Sequence, residues 1–119
     1  MDLSNFKLIG FANQISDAIW AEVIQWDNFK KDTIGKQVVR SADSISANLS
    51  ESYGRYTYAD RKRFILYARG SLCETTNWME KALSRELINE DIGREILQNL
   101  QKLSVFLSRY LNSLKERSP

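Results

Sequence analysis

A cluster of basic and aromatic residues between positions 55 and 63 is the part of this sequence best suited to bind another molecule. The cluster, called here the basic turn, comprises Arg55, Tyr56, Tyr58, Arg61, Lys62 and Arg63. Basic side chains hold phosphates and aromatic rings stack on bases, so the combination is typical of nucleic-acid binding. Residues 30–69 carry nine basic and four acidic side chains, a balance of +5, whereas the rest of the chain stands at −3. The alternative is a solvated loop whose charges serve solubility.

A second group of residues, in two neighbouring predicted helices, suits contacts between subunits. Arg40, Ser44 and Glu51 recur at helical spacing opposite the apolar stripe of their helix. They are either simply exposed or paired across subunits with Arg69 or Glu74. The candidate interface network is Arg40, Ser44, Asn48, Glu51, Arg69, Gly70, Ser71 and Glu74.

Catalytic chemistry has little support in the composition. The chain has no histidine and a single cysteine, Cys73, which excludes Ser-His-Asp, Cys-His and zinc-ribbon sites. Its five glycines form no phosphate-binding loop. We expect Cys73 to be a small buried apolar residue. The sequence therefore predicts a protein that is not an enzyme and uses no metal or cofactor. An enzyme with a two-carboxylate mechanism is the less favoured alternative.

Charge distribution and cysteine usage indicate the compartment. The longest segment without Asp, Glu, Lys or Arg is nine residues, 8–16, whereas a membrane span needs roughly 20. No basic segment precedes an apolar one at the start of the chain, so no signal peptide is predicted. A lone cysteine agrees with a reducing environment. We expect a cytoplasmic protein without a membrane partner.

The elements that carry these residues are predicted to be helices. Apolar residues recur every three or four positions in four segments whose stripes include Ile15, Ile45, Leu72 and Leu103. Proline occurs only at position 119, so nothing in the body of the chain forces a break. Four helices with short connections favour an all-α, up-down-up-down bundle that forms one domain over residues 1–119.

Polar residues mark the expected ends of these helices. Asp32 and Thr33 are expected to cap the second helix, and Gly54 to end it in a left-handed turn. The third and fourth helices are expected to begin after two further caps, at Thr57 and Asn89.

The third predicted helix is apolar on more than one side. Residues 64–73 carry one charge, that of Arg69, and Gly70 and Ser71 follow it directly. A helix that is apolar all round is usually buried, while a monomeric bundle buries one side only. We therefore expect another subunit to pack closely at Gly70 and Ser71. The alternative is that Gly70 only relieves crowding inside one bundle.

The same helices resemble a known family. The segments IGKQVVRSADSISANLSESYGR (34–55) and FILYARGSLCE (64–74) are similar to the two central helices of the 23S ribosomal RNA intervening-sequence proteins, also called S23 or "four helix bundle protein". Their approximate patterns are R-A-x-x-S-I-x-x-N-I-A-E-G-x-G-R and F-L-x-x-A-R-G-S-L-x-E. The matching positions are Arg40, Ser44, Ile45, Asn48, Glu51, Gly54, Arg55, Phe64, Ala68, Arg69, Gly70, Ser71, Leu72 and Glu74. The departures are Ser41, Leu49, Ser50 and Ser52.

The resemblance implies a four-helix bundle that assembles into a homopentameric ring. It also implies a relation to the accessory proteins of diversity-generating retroelements, which work beside a reverse transcriptase. Some family members are encoded within an insertion in the large ribosomal RNA gene, and no catalytic residues carry over. Two functions follow as hypotheses. One is a homo-oligomeric scaffold associated with RNA or with a nucleic-acid-processing protein, and the other is a protein-protein adaptor without nucleic-acid affinity.

Overall fold

The computed structural model describes residues 3–114, and their backbone forms four long helices. These helices are α1 (Leu3–Val23), α2 (Lys36–Gly54), α3 (Tyr58–Ser84) and α4 (Glu90–Ser113). A helical turn, Asn28–Lys30, and a π-helical stretch, Lys31–Gly35, precede α2 and run directly into it. No strand occurs within residues 3–114. The all-helical class predicted from the apolar spacing is confirmed.

Neighbouring helices pack side by side in opposite directions. Ser41 and Ser52 of α2 bond to Thr75 and Arg61 of α3, respectively, which shows that these two helices are antiparallel. Each helix packs against two others, because α1 and α3 both contact α2 and α4. The helices α1 and α3 therefore occupy opposite corners of an elongated body of 54 × 23 × 19 Å.

Aliphatic side chains from all four helices form one core. Ile15, Ile45 and Leu103 are almost completely buried, as the predicted stripes require. The predicted stripes also include Tyr53 and Ile92, and these two are exposed because they lie at the ends of α2 and α4. Burial of the aliphatic stripes, at about 25 cal/mol per Å² of apolar surface, is the main force that holds the helices together.

The predicted caps of the last two helices are confirmed. The Thr57 side chain accepts a hydrogen bond from the backbone N–H of Asp60 at 3.1 Å. The Asn89 side chain accepts bonds from Asp91 and Ile92 at 2.9 and 3.2 Å. Each cap satisfies backbone donors that the first helical turn leaves without a partner.

The predicted start of the second helix was wrong. Asp27, and not Asp32 or Thr33, caps the helical segment, since its carboxylate accepts from the Lys30 N–H at 3.0 Å. This backbone bond is the main cause that lowers the pKa of Asp27. Thr33 already lies inside the π-helical stretch, where its hydroxyl donates to the Phe29 carbonyl at 2.7 Å. A residue inside a helix cannot cap it.

The predicted left-handed turn at Gly54 was also wrong. No glycine within residues 3–114 has a positive φ. The helix α2 ends instead because Arg55 is extended, with φ −85° and ψ 143°. The residue with left-handed backbone is Glu86, with φ 60°, in the connection between α3 and α4.

None of the described helices is long and apolar enough to cross a membrane.

Candidate interaction surfaces

A polar network joins α2 to α3 on the surface of the subunit. The Arg40 guanidinium forms an ion pair with Glu74 across the two helices and donates to the Gln37 side chain at 3.1 Å. The Glu74 carboxylate also accepts from Trp78 Nε1 at 3.0 Å. Arg40 and Glu74 are thus partners within one chain, and this pair needs no second subunit.

The other candidates on α2 bond within their own helix. Ser44 donates to the Arg40 carbonyl at 2.8 Å, and Asn48 donates to the Ser44 carbonyl at 2.9 Å. Glu51 pairs with Arg55 one turn later at 3.2 Å. Arg69 is exposed on α3. The structure therefore brings Arg40 and Glu74 together but does not link all eight candidate residues, and pairing of the others across subunits stays a prediction.

The side of α3 that faces away from the core carries an apolar surface. We call it the outer strip and define it as Leu66, Tyr67, Gly70 and Cys73, all of them exposed. The prediction that Cys73 is buried was wrong, because Cys73 lies two turns after Leu66 on an exposed side of α3, away from the side that carries Ile65 and Leu72 into the core.

Glycine at position 70 has no steric cause inside the subunit. A Cβ atom added to Gly70 would meet no atom within 4 Å. The alternative explanation, that Gly70 relieves crowding within the bundle, is therefore wrong. The neighbouring Ser71 is half-buried, and its carbonyl accepts from the Thr75 hydroxyl at 2.7 Å.

A second exposed apolar surface lies at the connection between α1 and α2. We call it the α1 patch and define it as Trp20, Ile24 and Phe29; Trp20 is 55% and Phe29 77% exposed. Trp20, Ile24 and Val39 line a shallow groove there together with Arg40. This surface was not predicted from the sequence. Its signal was present, since Trp20 and Ile24 lie one turn apart and outside the buried stripe of α1.

Arg61, predicted to bind nucleic acid, is not available for it. Its side chain is 5% exposed and donates to the Tyr56 carbonyl at 3.5 Å, while its own carbonyl accepts from the Ser52 hydroxyl at 2.8 Å. Arg61 precedes the buried Ile65 and Ala68 by four and seven positions, and this spacing places it on the core side of α3. The prediction of a phosphate-binding Arg61 was wrong.

Two other residues of the basic turn, Arg55 and Arg63, lie over the ring of Phe64. The guanidinium carbons of Arg55 and Arg63 lie 4.6 and 5.2 Å from the centre of that ring. Arg55 pairs with Glu51, and Arg63 pairs with Asp60 at 3.0 Å. Of the remaining residues, Lys62 is exposed, Tyr56 is 87% exposed and Tyr58 is half-buried. The structure thus brings Arg55 and Arg63 together at Phe64 and pairs each of them with an acidic neighbour.

Four helices around one aliphatic core, with exposed apolar side chains on two corners, define a helical-bundle protein. The chain belongs to the family of 23S rRNA-intervening sequence proteins, whose family model matches residues 5–109. The resemblance carried by α2 and α3 is thereby confirmed.

One similar solved structure is a protein of unknown function from the S23 ribosomal protein family of Bacteroides thetaiotaomicron VPI-5482. The two chains are 23% identical over 93% of this chain and 100% of the other, with a TM-score of 0.77. At this identity the likeness shows a shared fold. No curated protein matches the sequence significantly.

Proposed function

We propose that this protein is a non-enzymatic scaffold that acts as a homo-oligomer. The outer strip of α3 is the observation that carries the proposal. Leu66 and Tyr67 leave apolar surface in water beside a glycine that the subunit's own packing does not need. Contiguous exposed apolar surface typically marks a site of protein interaction.

The energetics of Gly70 support a close contact with another chain. Glycine within a helix costs about 1 kcal/mol relative to alanine. Space for a Cβ atom is open at Gly70, so alanine would fit the isolated subunit. A neighbouring helix or ring that approaches the backbone at Gly70 explains why a residue without a side chain occupies this position.

The positions of the two apolar surfaces favour assembly from head to tail. The outer strip lies on α3 and the α1 patch lies near the end of α1, on opposite corners of the subunit. A contact between two different surfaces repeats from subunit to subunit, and it closes into a ring when the rotation between neighbours divides a full turn evenly. Trp20, Phe29 and Tyr67 would supply the aromatic anchors that are common in such interfaces. The number of five subunits comes from the family resemblance.

RNA binding is a second candidate function. The observation that favours it is the exposure of Lys62 and Tyr56 at one end of the bundle, which a ring would repeat in every subunit. The burial of Arg61 and the acidic neighbours of Arg55 and Arg63 weaken it. We therefore favour a function in protein-protein contacts over RNA binding. An adaptor without nucleic-acid affinity is one form of that function.

Mixing two variants tests the head-to-tail arrangement. One carries Leu66→Glu and Gly70→Glu in the outer strip, and the other carries Trp20→Glu and Ile24→Glu in the α1 patch. Each variant should be monomeric, because charges at a desolvated contact are costly. A 1:1 mixture should form heterodimers, because one intact strip can still bind one intact patch.

The control carries the same added charge on α4, as Gln98→Glu and Gln101→Glu, both exposed. It should assemble like the parent. A strip that pairs with a second strip predicts a different result, since the α1-patch variant alone would then stay assembled. That outcome would overturn the head-to-tail arrangement.

A further inference from the structure

A groove between the beginning of α1 and the end of α4 has the features of a small-molecule site. Its volume is about 540 Å³, and its lining includes Leu8, Phe11, Phe106 and Tyr110. The rings of Phe11 and Phe106 lie 6.1 Å apart and are tilted by 55°. The groove is within the size range, about 300–1,000 Å³, of pockets that hold small ligands.

Two cations line the same groove. Lys7 and Arg109 are both exposed, and no acidic residue is among the described lining residues. Neither cation forms an ion pair with any residue of the described range 3–114. Their charges are therefore directed at a region that no described carboxylate neutralises.

The helix directions separate the charged and apolar parts of the groove. Lys7 precedes Phe11 by one turn of α1, and Arg109 follows Phe106 by about one turn of α4. Because α1 and α4 are antiparallel, both steps lead toward the same end of the bundle. The two cations therefore lie at one end of the groove and the two phenylalanines lie further along it.

We propose that this groove binds an amphipathic anion with an unbranched alkyl tail, of the kind represented by a medium-chain fatty acid. The tail lies along Leu8, Phe11 and Phe106, and the anionic head lies between Lys7 and Arg109. Charge complementarity selects this ligand over a neutral or cationic amphiphile of the same length. The inference concerns a different surface from the outer strip and does not rest on the proposed oligomer.

The first test is calorimetric titration of the full chain with decanoate below its micellar concentration. Saturable binding at one site per chain is expected. Octanoate lacks two methylenes and should bind about fifteenfold more weakly, since each buried methylene contributes about fourfold in affinity. Decanol should bind more weakly than decanoate, and decyltrimethylammonium should not bind. Absence of saturable decanoate binding, or equal binding of decanol, overturns the proposal.

Variants locate the site. Lys7→Gln and Arg109→Gln should each weaken decanoate binding about two- to fivefold, the range of an exposed charge pair. Lys102→Gln removes an exposed cation from α4 outside the groove and should leave the affinity unchanged. An equal loss in Lys102→Gln would show non-specific attraction and would also overturn the proposal. A neighbouring subunit that covers the groove would abolish binding in the parent, with the same consequence.

Discussion

The Ser52 hydroxyl donates a 2.8 Å hydrogen bond to the backbone carbonyl of Arg61, and this bond ties the end of α2 to the first turn of α3. Ser52 and Arg61 are both buried. Arg61 is therefore part of the packing between these helices, although it stands in a run of three basic residues. Its long aliphatic stem gives a charged residue this packing role.

Replacement of Arg61 tests that role. Arg61→Ser should lower the free energy of unfolding by about 2 kcal/mol, because it removes buried side-chain volume and a bond to the Tyr56 carbonyl. Lys62→Ser, at the adjacent exposed position, should change it by less than about 0.5 kcal/mol. Urea denaturation of both variants measures the difference. Equal stabilities would show that Arg61 does not contribute to the packing.

The run from Arg61 to Arg63 illustrates what sequence reasoning could and could not predict. Apolar spacing predicted the four helices because burial follows helical periodicity. The caps at Thr57 and Asn89 were predictable because capping depends on residues within one turn. Arg61 was wrongly predicted to bind phosphate because the prediction relied on its charge. Its position four residues before the buried Ile65 indicates instead that it lies on the core side of α3.

Other features depend on contacts or backbone angles that residue type does not specify. Glycine allows either sign of φ, so the residue type at position 54 does not specify a left-handed turn. The pairing of Arg40 with Glu74 joins residues 34 positions apart, and sequence alone does not distinguish it from pairing across subunits. The α1 patch likewise becomes visible only when the side of α1 that the core leaves open is known.

Gly70→Leu separates subunit stability from assembly. Gly70 is exposed and a Cβ atom there meets no atom of the isolated subunit within 4 Å, and leucine favours helix formation by nearly 1 kcal/mol over glycine. Thermal stability of the subunit should therefore not fall, whereas overpacking at the contact should weaken assembly by about 1–3 kcal/mol. Gly10→Leu is the matched control, since Gly10 is also exposed and a Cβ there meets no atom within 4 Å. Full assembly of Gly70→Leu would show that no chain approaches Gly70.

RNA binding, if present, should depend on the exposed side of the basic turn. Lys62→Ser with Arg63→Ser should reduce the slope of log affinity against log salt by nearly two units per bound subunit, because two phosphate contacts are lost. Helicity and oligomer mass should remain unchanged. Titration with a structured RNA at two salt concentrations measures the slope. Absence of binding by the parent at low salt would remove the RNA candidate and leave the protein adaptor.

The stability of the subunit should respond to the ionisation of Asp43. Desolvation, and secondarily the negative charge of Asp17, raise the pKa of Asp43. The Asp43 carboxyl therefore binds its proton more tightly in the folded protein than in the unfolded chain. The contribution of this protonation to the free energy of unfolding is lost as pH rises through the folded-state pKa. Asp43→Asn should increase the free energy of unfolding at pH 7 and give no gain below about pH 3.9, the ordinary aspartate value. Urea denaturation at both pH values checks the sign, and a gain at low pH alone would contradict it.

The mass of the unmodified protein in solution tests the proposed assembly most directly. Sedimentation equilibrium at micromolar concentration should give a single species of five times the 13.8 kDa subunit mass. The exposed outer strip and α1 patch are expected to be buried in that species. A mass of 13.8 kDa over the whole concentration range would contradict the self-assembling scaffold.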